Sequence, residues 1–133
     1  MNKVLIIGGS GLLGQSLVEY FVSNNFQVGA LSRHCNSQGR RFSNYAVDVL
    51  DYENLELVVA QYDVIINCIG QITNPIHECV SLNTKGITNI IDAVKKNGNY
   101  LIHLSSIAVY GSSSMVNEKS AVNPESVYGS FKY

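Results

Sequence analysis

The chain has no surplus of positive charge: nine Lys plus Arg stand against ten Asp plus Glu, a formal net charge of −1. That balance gives neither the basic footprint that nucleic acid requires nor a cationic face for a membrane, and it leaves a small molecule as the expected partner. Cysteine is scarce too. Cys35, Cys68 and Cys79 are odd in number and lack the spacing of a metal site, so buried free thiols in a reducing cytoplasm are expected rather than a disulfide framework. No basic stretch followed by an apolar segment and a cleavage site opens the chain, and no apolar run approaches the roughly 18 residues that span a bilayer. Nothing therefore directs export. Internal repeats, low-complexity tracts and linkers are also missing. With 133 residues, 46% of them apolar, the chain can bury one core and is too short for two ordinary domains, so residues 1–133 are expected to form one.

What is present begins at Val4. Residues 4–14, Val-Leu-Ile-Ile-Gly-Gly-Ser-Gly-Leu-Leu-Gly, run an apolar strand through a glycine turn into a helix. Gly8, Gly11 and Gly14 stand three apart, which serves a tight turn, backbone approach to a pyrophosphate, and close packing of helix on strand. Free N–H groups and the dipole at the helix start would face the anion. A glycine triplet alone is weak, since any tight strand-to-helix turn can use two of the three.

The rest of the chain alternates strands and helices. Val4 to Ile7 suits a strand covered on both faces, and Leu12 to Phe21 follows with Leu13, Leu17, Val18 and Phe21 at helical spacing. Phe26 to Leu31 and Asn44 to Val49 read as the second and third strands, after which Asp51 caps a helix with Leu55, Val58 and Val59 inward. Val64 to Ile66 is a fourth strand ending at Asn67. Ile87, Ile90, Ile91 and Val94 mark a long helix closed by Lys95, Lys96 and Gly98, and Tyr100 to Leu104 is a fifth strand. Such alternation predicts an α/β fold, a doubly wound parallel sheet with strand order 3-2-1-4-5. Residues 111–126, rich in Ser, Asn and Glu, read as a loop.

Tyr128 and Lys132 stand four apart, which on a helix puts both side chains on one face, about 6 Å apart along the axis. A free tyrosine has a pKa of about 10 and is a poor base near neutrality, whereas a cation within about 4–6 Å favours the phenolate. Lys132 could supply that charge. Ser106, at the end of the fifth strand, is placed to hydrogen-bond a substrate hydroxyl or carbonyl while Tyr128 moves the proton. The bland alternative is a chance pair on a polar helix.

These signals together resemble a family. The chain is similar to the extended short-chain dehydrogenase/reductases, the NAD-dependent epimerase/dehydratase group that includes UDP-glucose 4-epimerase and nucleotide-sugar dehydratases and reductases. Matching segments occur in order: the glycine turn, Asp48-Val49, Asn67-Cys68-Ile69-Gly70, the run from Asn83 to Asn89, the run from Leu104 to Gly111, and then the Tyr128/Lys132 pair. The resemblance implies that Gly8, Gly11, Leu12 and Leu13 cradle the pyrophosphate while Gly14 packs the helix. Asp48 would accept from the adenine amino group and the Val49 backbone would meet the ring, a solvated strand-end carboxylate being the alternative for Asp48. Cys68, Ile69 and Gly70 would line the cofactor ribose through main-chain atoms. Ser106 matches the catalytic Ser/Thr, with Ser105 a lesser choice, Tyr128 the acid/base, and Lys132 the residue that lowers its pKa and binds the nicotinamide ribose. Asn83 is expected to tie its helix to nearby backbone. The implied activity is an NAD(P)-dependent epimerase or reductase acting on a nucleotide sugar, with a homodimer through the long helix and the Tyr/Lys helix.

The chain departs from the family pattern at three places. The second strand ends Leu31-Ser32-Arg33 where many NAD-preferring members carry an acidic residue. An Arg beside a small hydroxyl suits a 2′-phosphate, so NADP is favoured over NAD; alternatively Arg33, with Arg40 and Arg41, lies on a solvated loop. Ile107-Ala108 lacks the Asp-Glu pair of the dehydratases, which disfavours that subtype. Family members are also longer, with further strands and a substrate-holding region. A helix beginning near Tyr128 would have under two turns before Tyr133 and is expected to fray, leaving Tyr128 and Lys132 unpositioned, and the fifth strand is expected on an open edge. A truncated product, a fragment or one piece of a split protein is the expectation, with a cofactor-binding module that does not turn over as the alternative function.

Overall fold

The computed structural model describes residues 2–34, 41–70, 75–112 and 115–133. Cys35 and Arg40 lie outside them. Strands β1 (Lys3–Ile7), β2 (Gln27–Ser32), β3 (Ser43–Ala46), β4 (Val64–Asn67) and β5 (Tyr100–His103) form one sheet in the order β3-β2-β1-β4-β5. Every pairing is parallel, as the alternation predicts. The register sets Tyr45, Leu31, Ile7, Asn67 and His103 in one row across the carboxyl end of the sheet.

Burial on both faces explains why β1 is apolar from Val4 to Ile7. Val4 and Ile6 pack with Val18, Val28, Ala30 and Ile66 on one side. Leu5 and Ile7 point the other way and pack with Leu31, Leu55, Ile65 and Ile90. Alternate residues of a strand face opposite sides, so a sheet covered by helices on both faces needs an unbroken apolar run at its centre. Each such side chain removed from water contributes about 1.5–3 kcal/mol.

Helix α1 (Leu12–Ser23) covers the first face; α2 (Tyr52–Val59) and α4 (Ile87–Asn97) cover the second. The Asp51 carboxylate accepts from the Asn54 N–H at 3.3 Å and caps α2, as expected. α4 ends at Gly98, whose φ of 70° closes the helix beyond Lys95 and Lys96. Short segments complete the chain: α3 (Ile76–Ser81), a 3-10 turn (Ile107–Tyr110) and α5 (Val127–Lys132). No helix among the described residues is long and apolar enough to cross a membrane.

Two elements differ from expectation. β3 stops at Ala46 rather than Val49 because Asp48 folds onto its own backbone: its Oδ1 accepts from the Leu50 N–H at 2.9 Å and its carbonyl from the Asp51 N–H at 3.0 Å. The long helix is also longer than its apolar stripe. It runs unbroken from Ile76 through a π-helical turn, Leu82–Gly86, to Asn97. Among its early buried positions are Cys79, Asn83 and Gly86, which extend no apolar periodicity.

Leu55 is fully buried between α2 and the sheet, whereas Leu57, two positions on and so on the opposite side of the helix, is 63% exposed. Leu55→Ala should lower the unfolding free energy by about 2–5 kcal/mol and Leu57→Ala by less than about 0.5 kcal/mol. Urea denaturation of the two variants checks the assignment of this face.

Candidate cofactor-binding and active site

The glycine turn is held by main-chain bonds. Gly8, at φ 86°, and Gly9 both donate to the Leu31 carbonyl, at 2.8 and 3.2 Å, which fastens the turn to β2. Gly11 donates back to the Gly8 carbonyl at 3.0 Å and then opens α1 with no side-chain cap. A Cβ on Gly14 would run into the Gly8 carbonyl oxygen, so α1 sits against the turn only because that position has none. The first N–H groups of α1 have no helical acceptor, and the helix dipole adds positive potential at the same point. Leu12 and Leu13 are 90% and 51% exposed.

In front of this turn lies a cleft of about 260 Å³. Its walls come from the ends of four strands: Gly8, Ser10 and Gly11 after β1; Leu31, Ser32 and Arg33 at β2; Val47, Asp48 and Val49 after β3; Cys68, Ile69 and Gly70 after β4. The order of strands reverses between β1 and β4, and in parallel α/β sheets ligands bind outside the carboxyl ends at that point. Val49 is buried, and its carbonyl accepts from the Asn89 amide at 2.8 Å, which ties α4 to the cleft. Asn83 instead donates to the Cys79 carbonyl one turn back, at 2.9 Å. The Ser32 hydroxyl donates to the His34 carbonyl at 2.8 Å, and Arg33 Nη1 lies 3.4 Å from Glu78 Oε2.

The far end of the cleft is polar and cross-linked. Asn67 is fully buried; its Oδ1 accepts from the Ile69 N–H at 3.0 Å, which fixes the amide's orientation. Its Nδ2 therefore donates to His103 Nδ1 at 3.0 Å, and the ring is neutral with its proton on Nε2. Burial, with the Lys132 charge assisting, holds the His103 pKa below its ordinary value. Lys132 is itself buried, donates to the Ile69 carbonyl at 2.8 Å, and stands 5.9 Å from the centre of the Tyr128 ring. Burial lowers its ammonium pKa, opposed by Cys68 and Cys79, while burial raises the Cys68 thiol.

The expectation that α5 frays is corrected by four contacts. Ser126 caps it by accepting from the Gly129 N–H at 3.0 Å, and Ser130 donates back to the Ser126 carbonyl at 3.1 Å. Ser105 donates to the Lys132 carbonyl at 2.7 Å, and the Lys132 ammonium reaches Ile69. A side chain at Gly70 would meet the Tyr128 hydroxyl at 3.1 Å and Lys132 Cε at 3.4 Å, so loop, phenol and lysine converge. Ser106 accepts from the Ala108 N–H at 3.2 Å and lines a second cleft of about 420 Å³ with Tyr110, Asn117 and Glu118.

The structure thus gathers Gly8, Gly11, Ser32, Arg33, Asp48, Val49, Cys68, Ile69 and Gly70 around one cleft, with Gly14 beneath it and Tyr128 and Lys132 against its end. Ser106 belongs to the neighbouring cleft. Sequence reasoning passed over Ser10, Leu82 and His103. Of these, His103 had a signal: a titratable residue aligned with the polar Asn67 that ends an otherwise apolar strand.

A doubly wound sheet with an uncapped helix behind a glycine turn defines a dinucleotide-binding fold. Residues 4–133 match the NAD dependent epimerase/dehydratase family, and the chain belongs to that family. It is 27% identical over 146 aligned positions to a putative UDP-glucose 4-epimerase of Methanocaldococcus jannaschii, covering 98% of this chain and 47% of that protein. Its fold matches UDP-N-acetylglucosamine 4-epimerase from Bacillus cereus with a TM-score of 0.83 at 26% identity, over 99% of this chain and 47% of the other. The Bordetella bronchiseptica enzyme WbmG in complex with NAD shares the fold at a TM-score of 0.85 and 20% identity, over 98% and 46% of the two chains. The chain spans about half the length of each.

The His103 geometry has a pH signature. Between its lowered folded pKa and the ordinary 6.5, the unfolded chain binds a proton that the native one does not, so stability rises with pH in that window. The contribution is present above 6.5 and lost as pH falls through the folded pKa. Urea midpoints measured down through that window should decline in the wild type, and His103→Asn should flatten the decline.

Proposed function

We propose that residues 1–133 form the cofactor half of an NAD(P)-dependent nucleotide-sugar epimerase or reductase, in which Ser106, Tyr128 and Lys132 act on the substrate. The observation that carries this is the uncapped start of α1, aimed over the Gly8–Gly14 turn into the cleft where the strand order reverses. In this reading the α1 amides hold the diphosphate, Asp48 accepts from the adenine amino group, and the main chain of Cys68 to Gly70 lines the ribose. The nicotinamide supplies the hydride chemistry when bound. Tyr128 takes or returns the proton of the sugar hydroxyl, Lys132 stabilises the phenolate, and Ser106 orients the oxygen by hydrogen bonding. Supporting this, the Tyr128 phenol and the end of the Lys132 chain both reach Gly70 on the cleft's edge, and the buried Lys132 is fixed by Ile69.

Both NADP and NAD fit this reading, and Arg33 on the wall favours NADP by offering a planar charged fork to a 2′-phosphate. The substrate class, a nucleotide sugar, is taken from relatives described as UDP-glucose and UDP-N-acetylglucosamine 4-epimerases. A homodimer through α4 and α5 follows the family pattern, and a cytoplasmic location fits Cys68 and Cys79 standing as thiols outside any disulfide. A second reading, binding without turnover by these residues alone, is favoured by their matching under half the length of those relatives.

Titration calorimetry of the chain with NADP and with NAD tests the first claim. Binding of at least one is expected, and no heat with either at millimolar concentration overturns it. Ser10→Glu, which sets a carboxylate on the exposed turn beside the diphosphate, should weaken both cofactors by about tenfold or more with an unchanged urea midpoint. Steady turnover of a UDP-sugar by the chain alone would overturn the second reading.

A further inference from the structure

We infer that Glu78 sets the preference of the cleft between a 2′-phosphorylated and an unphosphorylated adenosine ribose, by competing for Arg33. The inference rests on the cleft being a dinucleotide site, as proposed above. Arg33 follows β2 on the cleft wall, and the structure brings a carboxylate to it from 45 positions away in the sequence, Glu78 of α3, at 3.4 Å. The two side chains are 47% and 38% exposed, so solvent and a ligand reach both.

The electrostatics differ for the two cofactors. An unphosphorylated ribose presents hydroxyls and leaves the ion pair intact. A 2′-phosphate draws on the guanidinium, whose fork of N–H donors matches phosphate oxygens better than one carboxylate contact at 3.4 Å. It must then displace Glu78 or lie beside its negative charge. An exposed pair of this kind is weak enough to be broken, and two anions a few ångströms apart at a protein surface repel by a comparable amount. Arg33 thus attracts the phosphate while Glu78 both occupies Arg33 and repels the newcomer. The preference for NADP is the balance of the two, and Glu78 is the adjustable part.

The test titrates NAD and NADP into the full chain as wild type, Glu78→Gln, Glu78→Ala, Arg33→Ala and the Arg33→Ala/Glu78→Gln double variant. Glu53→Gln, at an exposed position of α2, removes the same charge elsewhere. Both Glu78 variants should bind NADP about three- to tenfold more tightly than wild type and NAD within about twofold of it. The gain should vanish in the double variant and be absent in Glu53→Gln, and retained NAD binding shows that each variant is folded. Equal tightening of both cofactors, no tightening, a gain that survives the loss of Arg33, or the same gain in Glu53→Gln each overturns the inference. NAD binding with an unchanged NADP ratio overturns this inference alone. Failure of the wild type to bind either cofactor overturns the dinucleotide reading, and this one with it.

Discussion

The contact between α1 and the carbonyl of Gly8 is the constraint on which the cleft depends. Because Gly14 has no side chain, the helix starts directly where β1 ends, and its first amides face the space that the strand ends enclose. A methyl group there would have to push the helix off the sheet, at an overpacking cost of about 1–3 kcal/mol. The loss would extend beyond stability. The amides would withdraw from the cleft, and the apolar contact of Val18 with Val4 and Ile6 would loosen with them.

A second constraint is the row in which the sheet turns from apolar to polar. Tyr45, Leu31, Ile7, Asn67 and His103 lie side by side, and Asn67, next to the central Ile7, is the fully buried polar member. Its amide satisfies groups on both sides, one from the loop after β4 and one from β5. The same loop carries the Ile69 carbonyl that receives Lys132. Tyr128 and Lys132 are thereby linked to the core of the sheet although their helix has only six residues.

The fold was legible because its elements carried local signals: the apolar run of β1, the cap of α2 at Asp51, the left-handed stop of α4 at Gly98. The sheet order followed from alternation and the rule for crossovers. What escaped was settled by side chains acting on backbone. The end of β3 is fixed by the Asp48 carboxylate bending back, and the start of the long helix is hidden because Cys79, Asn83 and Gly86 occupy inward positions. At the site, the glycine spacing marked the tight turn on which α1 rests, and four-residue spacing marked Tyr128 and Lys132 as neighbours on one helix. Neither could reveal the tethers of α5 from Ser105 and Ile69, which come from 27 and 63 residues away. The Arg33–Glu78 pair was equally invisible, since its partners meet only through the tertiary fold.

The locked amide of Asn67 makes its nearest isostere costly. Asn67→Asp would keep shape and volume and still accept from the Ile69 N–H, but its second oxygen would confront the lone pair of His103 Nδ1. The imidazole would have to put a proton on Nδ1, by changing tautomer or by charging, or flip. Either way an ionised carboxylate, or an acid holding its proton, would sit in the interior between β1 and β5. A change of one atom would thus replace a neutral bridge with a buried titratable carboxyl, and the seam between β4 and the edge strand β5 would become sensitive to acid.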